Sequence, residues 1–182
     1  TTIYKGSTNA LWVGTDSGII FQGDTYMKSF YPLTFGLANT DVQAMTDGFP
    51  SWVGGRIFPG DPGAVTLVDP EHGYFTWFEG DIAINVDQLE VFGNCSVGNE
   101  IWFGGQSAIY IYNQKDDFWR TLGGARGLPV GRIKALEPDT NFVWVASSYE
   151  IKKMNIMTKR SEASVVNSSL QNHYIHDIAL IN

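Results

Sequence analysis

One element returns four times along this chain. Ala10-Leu11-Trp12-Val13-Gly14-Thr15-Asp16-Ser17-Gly18-Ile19-Ile20-Phe21 reads as a short apolar strand carrying a Trp, a tight polar turn and a second apolar strand. It comes back as Ser51-Trp52-Val53-Gly54-Gly55, as Ile101-Trp102-Phe103-Gly104-Gly105 and as Val143-Trp144-Val145-Ala146-Ser147. The Trp residues are 40, 50 and 42 positions apart. A repeat of about 40–50 residues built from short strands is the pattern of a β-propeller, one four-stranded blade per unit. Composition agrees: 20 glycines punctuate runs in which aromatics reach 14% of 182 residues, which favours an all-β chain with almost no helix.

A second anchor fixes the phase. Alternating strands lie ahead of the later Trp residues: Val42-Gln43-Ala44-Met45, Leu89-Glu90-Val91-Phe92 and Ile133-Lys134-Ala135-Leu136. An aliphatic residue stands five positions before each (Leu37, Ile84, Leu128), and the tail repeats the spacing with Leu170 before Ile175-His176-Asp177-Ile178. Each unit then reads as strands A to D. Strand A is the Val-x-Ala-Met type and strand B carries the Trp. Strand C covers 18–21, 65–69, 109–113 and 151–155, and strand D covers 26–30, 74–78, 118–122 and about 161–166. The whole of 1–182 is a single propeller segment, with blades at about 1–35, 36–83, 84–127 and 128–169 and an extra inner strand over 170–182. The second unit carries an insertion between B and C, Arg56-Ile57-Phe58-Pro59-Gly60-Asp61-Pro62-Gly63, whose prolines and glycines make it a surface loop.

The count leaves two arrangements. The tail strand either completes the first unit, giving four blades that close alone or pair with a second chain, or Thr2–Lys5 is the first unit's own strand A. The second arrangement makes the chain a piece of a longer propeller, and the absence of an initial Met favours it. The expected partners are therefore the remaining blades or a second chain completing the ring. With net charge −7 and no large Lys/Arg cluster, nucleic acid and anionic membrane are not expected partners. The small group Lys152, Lys153, Lys159 and Arg160 reads as a solvated outer strand. No apolar run approaches the ~20 residues of a membrane helix. The single Cys95 excludes an intrachain disulfide and, among Val91, Phe92 and Val97, reads as a buried structural thiol.

The repeat has a family resemblance. Gly36-Leu37 leading to Val42-Gln43-Ala44-Met45, the run 11–21, and Gly127-Leu128-Pro129 leading to 133–136 and 143–145 resemble the propeller repeats of two-component regulators, the sensor part of hybrid histidine kinases. The resemblance covers nearly the whole chain. It departs at Ala146-Ser147-Ser148, where Gly-Thr-Asp is the pattern, and at Arg56, which replaces a turn Asp. It implies a many-bladed, periplasmic or extracellular domain that senses glycan breakdown products and signals through a downstream kinase. No kinase or receiver motif and no membrane segment is present in these residues.

Candidate sites follow from a contrast between repetition and asymmetry. Trp12, Trp52, Trp102 and Trp144 recur at one strand position, so they read as blade-packing residues; Trp77 and Trp119, on outer strands, read as packing between blades. Propeller ligands commonly meet the axial face formed by B–C turns and D–A connections. There the framework repeats while the side chains differ: Asp16, Arg56 with Phe58, Gln106, Ser148 and Tyr149 are the candidate ligand-binding residues. Arg56 supplies a fork of donors and Phe58 an apolar wall. His72, His173 and His176 are scattered, and Asp61, Asp69, Asp116 and Asp117 lack calcium-loop spacing, so neither metal nor cofactor is expected.

Three function classes stand at this point. The favoured one is a ligand-binding sensor propeller recognising an oligosaccharide or other small polar ligand. The second is a polysaccharide-acting hydrolase or lyase using axial carboxylates among Asp16, Asp47, Asp81, Asp87, Glu90, Glu137 and Asp177. The third is a structural propeller that holds partner proteins. No nucleophile-elbow, Walker or dinucleotide fingerprint supports the second, and a non-catalytic role is favoured.

Overall fold

A computed structural model describes residues 2–5, 11–16, 18–23, 27–30, 36–46, 50–59, 63–69, 74–79, 89–162, 170 and 173–180. It contains four antiparallel four-stranded sheets, each a meander of consecutive strands, which is the blade of a β-propeller. Blade 1 is β1 (Thr2–Lys5), β2 (Leu11–Thr15), β3 (Gly18–Gln22) and β4 (Met27–Phe30). Blade 2 is β5 (Asp41–Met45), β6 (Ser51–Arg56), β7 (Ala64–Asp69) and β8 (Tyr74–Glu79). Blade 3 is β9 (Gly93–Val97), β10 (Glu100–Gly104), β11 (Ile109–Asn113) and β12 (Phe118–Leu122). Blade 4 is β13 (Ala135–Asp139), β14 (Phe142–Ala146), β15 (Ile151–Asn155) and β16 (Ser161–Glu162). The only helical element among the described residues is a 3-10 turn at Gly124–Arg126. The chain divides into two compact units, 1–91 and 92–182.

Thr2 to Lys5 pair with Gly14 to Leu11, so blade 1 supplies its own strand A. The strand C and D expectations match within a residue or two, except that 163–166 lie outside the described residues. Strand A is displaced in two blades. In blade 3 it is Gly93–Val97 rather than 89–92, and in blade 4 it is Ala135–Asp139 rather than 133–136. The physical reason is a run-in that bonds the preceding blade before pairing starts. Leu89 N–H donates to Gly63 O and Val91 N–H to Gly55 O, and likewise Ile133 N–H donates to Gly105 O. Their alternating pattern belongs to this run-in as much as to a strand.

The same junction explains why Gly follows the repeated Trp by two positions. A Cβ on Gly14 would lie 2.9 Å from Val42 Cγ1, one on Gly54 2.7 Å from Val91 Cβ, and one on Gly104 2.7 Å from both Ile133 Cγ2 and Ile133 O. The slot is filled by an aliphatic residue at the start of the following blade, Val42 within β5 and Val91 and Ile133 in the run-ins. In blade 4 Ala146 occupies it and packs on Ala135 and Ile175.

The Trp faces of blades 1 and 3 are buried by the blade that follows within the same compact unit. Trp12 and Ile19 pack on Leu37, Val42, Val53 and Val68. Trp102, Ile109 and Ile111 pack on Ile133, Leu136, Val143, Val145 and Met154, with Cys95 opposite Trp102 on the neighbouring strand. Burial pushes the Cys95 thiol well above its usual range, as expected of a structural cysteine. Trp119 stacks within its own blade on Phe103 and Tyr112, at 5.5 and 5.0 Å. Trp77 is 45% exposed and donates its indole N–H to Gly36 O, within its own blade.

The basic group at the end of blade 4 is not simply solvated. Lys159 is buried and reaches across to blade 3, where its Nζ meets Glu100 and lies 4.6 Å from the Trp102 ring. A positive-φ backbone at Lys159, held by Asn155 Oδ1 accepting from Met157 and Thr158, turns the side chain inward.

A candidate ligand-binding site at the B–C turns

The B–C turn of every blade is short because the strand register closes it tightly, except in blade 2. Thr15 pairs with Gly18 around Asp16, Gly104 with Ile109 around Gln106, and Ala146 with Ile151 around Ser148 and Tyr149. In blade 2, β6 ends at Arg56 and β7 starts at Ala64; positions 60–62 of the insertion lie outside the described residues. All six predicted ligand-binding residues therefore stand at the B–C end of a blade.

In the first unit, Asp16 is exposed on its turn. Arg56 is less open than its sequence position suggests. Its guanidinium lies 3.7 Å from the Asp41 carboxylate and 5.7 Å from the Phe58 ring, while its carbonyl accepts from Asn39. The next residue, Ile57, donates its N–H to Glu90 Oε1. Arg56 and Phe58 thus lie side by side, and Asp41 shares the cation.

In the second unit, Gln106, Ser148 and Tyr149 join residues that sequence reasoning had assigned elsewhere or passed over. Gln106 Oε1 accepts from Arg132 Nε at 3.3 Å, and the Arg132 guanidinium lies 4.2 Å over the Phe92 ring. Lys134 Nζ touches Tyr174 Oη and lies 4.0 Å from that ring's centre. Tyr174 meets Tyr149 edge-on at 5.4 Å and His176 at 4.8 Å. Ser148 O accepts from Ile175 N–H at 2.8 Å, which holds the tail against the turn. The hydrogen bond from Lys134, then that with Ser148, lowers the Tyr174 phenol below its ordinary range, and the Arg132 charge acts the same way. Tyr149 and Tyr174 remain 68% and 48% exposed.

Two local choices build this cluster. Arg132 and Lys134 flank Ile133, whose side chain fills the Gly104 slot, so period-2 alternation turns both cations the other way. Tyr174 and His176 flank Ile175 by the same rule, with Ile175 buried at Ala135 and Ala146. The signal in the sequence was the shared aliphatic centre of Arg132-Ile133-Lys134 and Tyr174-Ile175-His176, visible once the run-in is recognised as a wedge.

The proposed catalytic carboxylates do not assemble in this cluster. Asp177, one of the candidate axial carboxylates, is exposed and accepts from Ile178 N–H through Oδ1. Residues 173–180 form no regular strand. Glu137 lies on the Trp144 face of blade 4, where a groove of about 190 Å³ is lined by Glu137, Trp144, Ile151, Ile178, Ala179 and Leu180. Asp47, Asp81 and Asp87 lie outside the described residues, as does His72. Among the described residues no three His, Cys, Asp or Glu side chains gather as metal ligands, and no helix is long and apolar enough to cross a membrane.

No protein-family model and no curated protein matches the chain. Solved structures do. The extracellular domain of the hybrid two-component system BT3049 from B. thetaiotaomicron aligns at TM-score 0.68 and 11% identity, over 90% of this chain and 24% of that one. The extracellular domain of the one-component system BT4673 from the same organism aligns at 0.67 and 14%, over 89% and 21%. Glutaminyl cyclase from Myxococcus xanthus aligns at 0.52 and 13%, over 88% and 72%. At these identities the likeness is one of fold: the chain is a β-propeller of four-stranded blades, built like those of the sensor domains. It spans about a quarter or less of the length of the two sensor domains it matches.

Proposed function

We propose that this chain is part of the extracytoplasmic sensing propeller of a bacterial two-component regulator, and that it binds a glycan or other small polar ligand at its B–C turns. The observation that carries the reading is the cluster of Tyr149, Tyr174, Arg132, Lys134 and Gln106. Two tyrosines left largely in water beside cations and an amide form a stacking surface with hydrogen-bonding groups at its edge. Exposed aromatics grouped with polar side chains suit a ring that presents C–H faces and hydroxyls. The sensor role and the location outside the cytoplasm are supported by the extracellular sensor domains that share the fold.

The partner is further propeller structure. The Trp faces of blades 1 and 3 are covered by the blade that follows, whereas the equivalent face of blade 4 presents a half-buried Trp144, with an indole N–H lacking an acceptor among the described residues, over an apolar groove. A fifth blade of the same kind fits that face.

Isothermal titration against a panel of oligosaccharides tests the ligand reading. Tyr149→Ala and Tyr174→Ala should each weaken binding about tenfold while leaving the unfolding midpoint within a few degrees, because stacking against one ring contributes about 1–2 kcal/mol. Unchanged affinity in both variants would remove this end of the blades from the binding site.

A further inference from the structure

The chain carries 19 acidic and 12 basic side chains, and several of the basic ones make no ion pair among the described residues. Two of them stand together at the B–C end of blades 3 and 4. Arg132 uses Nε for Gln106 and its flat face for Phe92, and among the described residues it meets no carboxylate. That arrangement fixes the guanidinium plane and, among the described residues, leaves the Nη edge as a pair of donors without an acceptor. Lys134 contacts the Tyr174 hydroxyl and ring but no carboxylate among the described residues. The nearby acid of the same turn is already engaged: Glu150 pairs with Lys152 and accepts from Val130 N–H. The local field is therefore positive on a chain that is negative overall. A cation held over an aromatic face and stripped of counter-charge is poised for an anion, and a fixed guanidinium edge matches a planar carboxylate with two parallel hydrogen bonds.

We infer that the site formed by Arg132, Lys134, Tyr149 and Tyr174 takes a sugar bearing a carboxylate, a uronic acid, with the acid on the Arg132 edge and Lys134 and the ring against the tyrosines. The inference rests on the glycan-binding reading above and narrows it to acidic sugars. The lowered Tyr174 phenol is consistent with it, since the same cations favour negative charge at that spot.

The experiment titrates the chain with a digalacturonate, a diglucuronate and the matching neutral disaccharides at low and at moderate salt. At least one uronate should bind about tenfold or more tighter than its neutral counterpart, because one charge-assisted bidentate contact contributes about 1.5–3 kcal/mol. Its affinity should fall with added salt. Arg132→Gln and Lys134→Gln should each weaken uronate binding about tenfold more than they weaken neutral-sugar binding, removing most of that preference, with circular dichroism confirming the fold. Equal affinity for acidic and neutral sugars, or variants that weaken both alike, would overturn the acidic assignment and leave a glycan site standing. Failure of every disaccharide to bind would overturn the glycan reading and this inference together.

Discussion

Glu100 offers the most demanding test of how blades 3 and 4 are held together. Its carboxylate accepts from Trp102 Nε1 at 3.0 Å and Arg120 Nη2 at 2.9 Å within blade 3, and meets Lys159 Nζ from blade 4. Side-chain exposure is 14% for Glu100, 10% for Lys159 and 38% for Arg120, so the Arg120 contact is screened and adds little. Glu100→Ala strands a buried ammonium and leaves the Trp102 N–H without its acceptor. Removing one partner of a buried pair costs about 3–5 kcal/mol. Lys159→Met instead removes the buried charge, keeps the volume and leaves Glu100 with two donors, so its cost should be about 0–1 kcal/mol. For a chain of this size that is a drop of about 6–20 °C in Tm against at most a few degrees. Burial lowers the Lys159 pKa from 10.5, with Glu100 opposing the shift. In the unfolded chain Lys159 keeps its proton to higher pH, so stability rises with pH between the folded and unfolded values. Without Glu100 that window extends to lower pH, and the Glu100→Ala deficit should shrink as pH climbs toward 10.5. The assay is urea denaturation of both single variants and the double variant at pH 7 and 9.5. Equal losses in the two single variants, or a double variant no more stable than Glu100→Ala, would refute the clamp.

Two further outcomes follow from the same geometry. Gly104→Ala should lower stability by about 1–3 kcal/mol, since its Cβ would meet both the Ile133 side chain and the Ile133 backbone carbonyl, whereas Ala146→Gly at the equivalent slot should cost about 1 kcal/mol or less; thermal unfolding compares them directly. Ultraviolet difference titration should show Tyr174 ionising below the ordinary tyrosine value of 10.0, and Lys134→Gln should move that titration upward, because the Lys134 hydrogen bond is its largest cause; no change would dissociate the two residues.

How far the sequence disclosed this molecule depends on which contacts repeat. The Trp spacing marks strand B, and the register of β2, β6, β10 and β14 follows from it because each is paired on both sides in its own sheet. Strand A was harder to place, since Leu89-Glu90-Val91-Phe92 alternates like a strand yet serves as a wedge against the previous blade. Alternation reports which side chains are buried, and a run-in lying along a neighbour buries the same side chains as a strand does. The site shows the same limit. Gln106, Ser148 and Tyr149 were legible as turn residues that break the repeat. Arg132, Lys134 and Tyr174 were not, because each sits one position from an aliphatic residue that obeys it.

Asp177 shows what an inner position requires. It occupies the position of Ala44, Gly93 and Ala135, and a Cβ on Gly93 would stand 2.5 Å from Lys134 O, where the following inner strand passes. A carboxylate could not occupy such a gap unpaired without a large desolvation cost. At Asp177 the side chain is instead in water, so the acid is tolerated. The residues that depart from the repeat near the end of the chain thus share one cause. Ala146 replaces Gly and packs on Ile175, Ser148 rather than the residue at the Gly55 and Gly105 position accepts the run-in N–H, and the tail it holds carries Tyr174 and His176 over the turn. The loss of the repeat in the fourth unit and the formation of the candidate site are the same structural event.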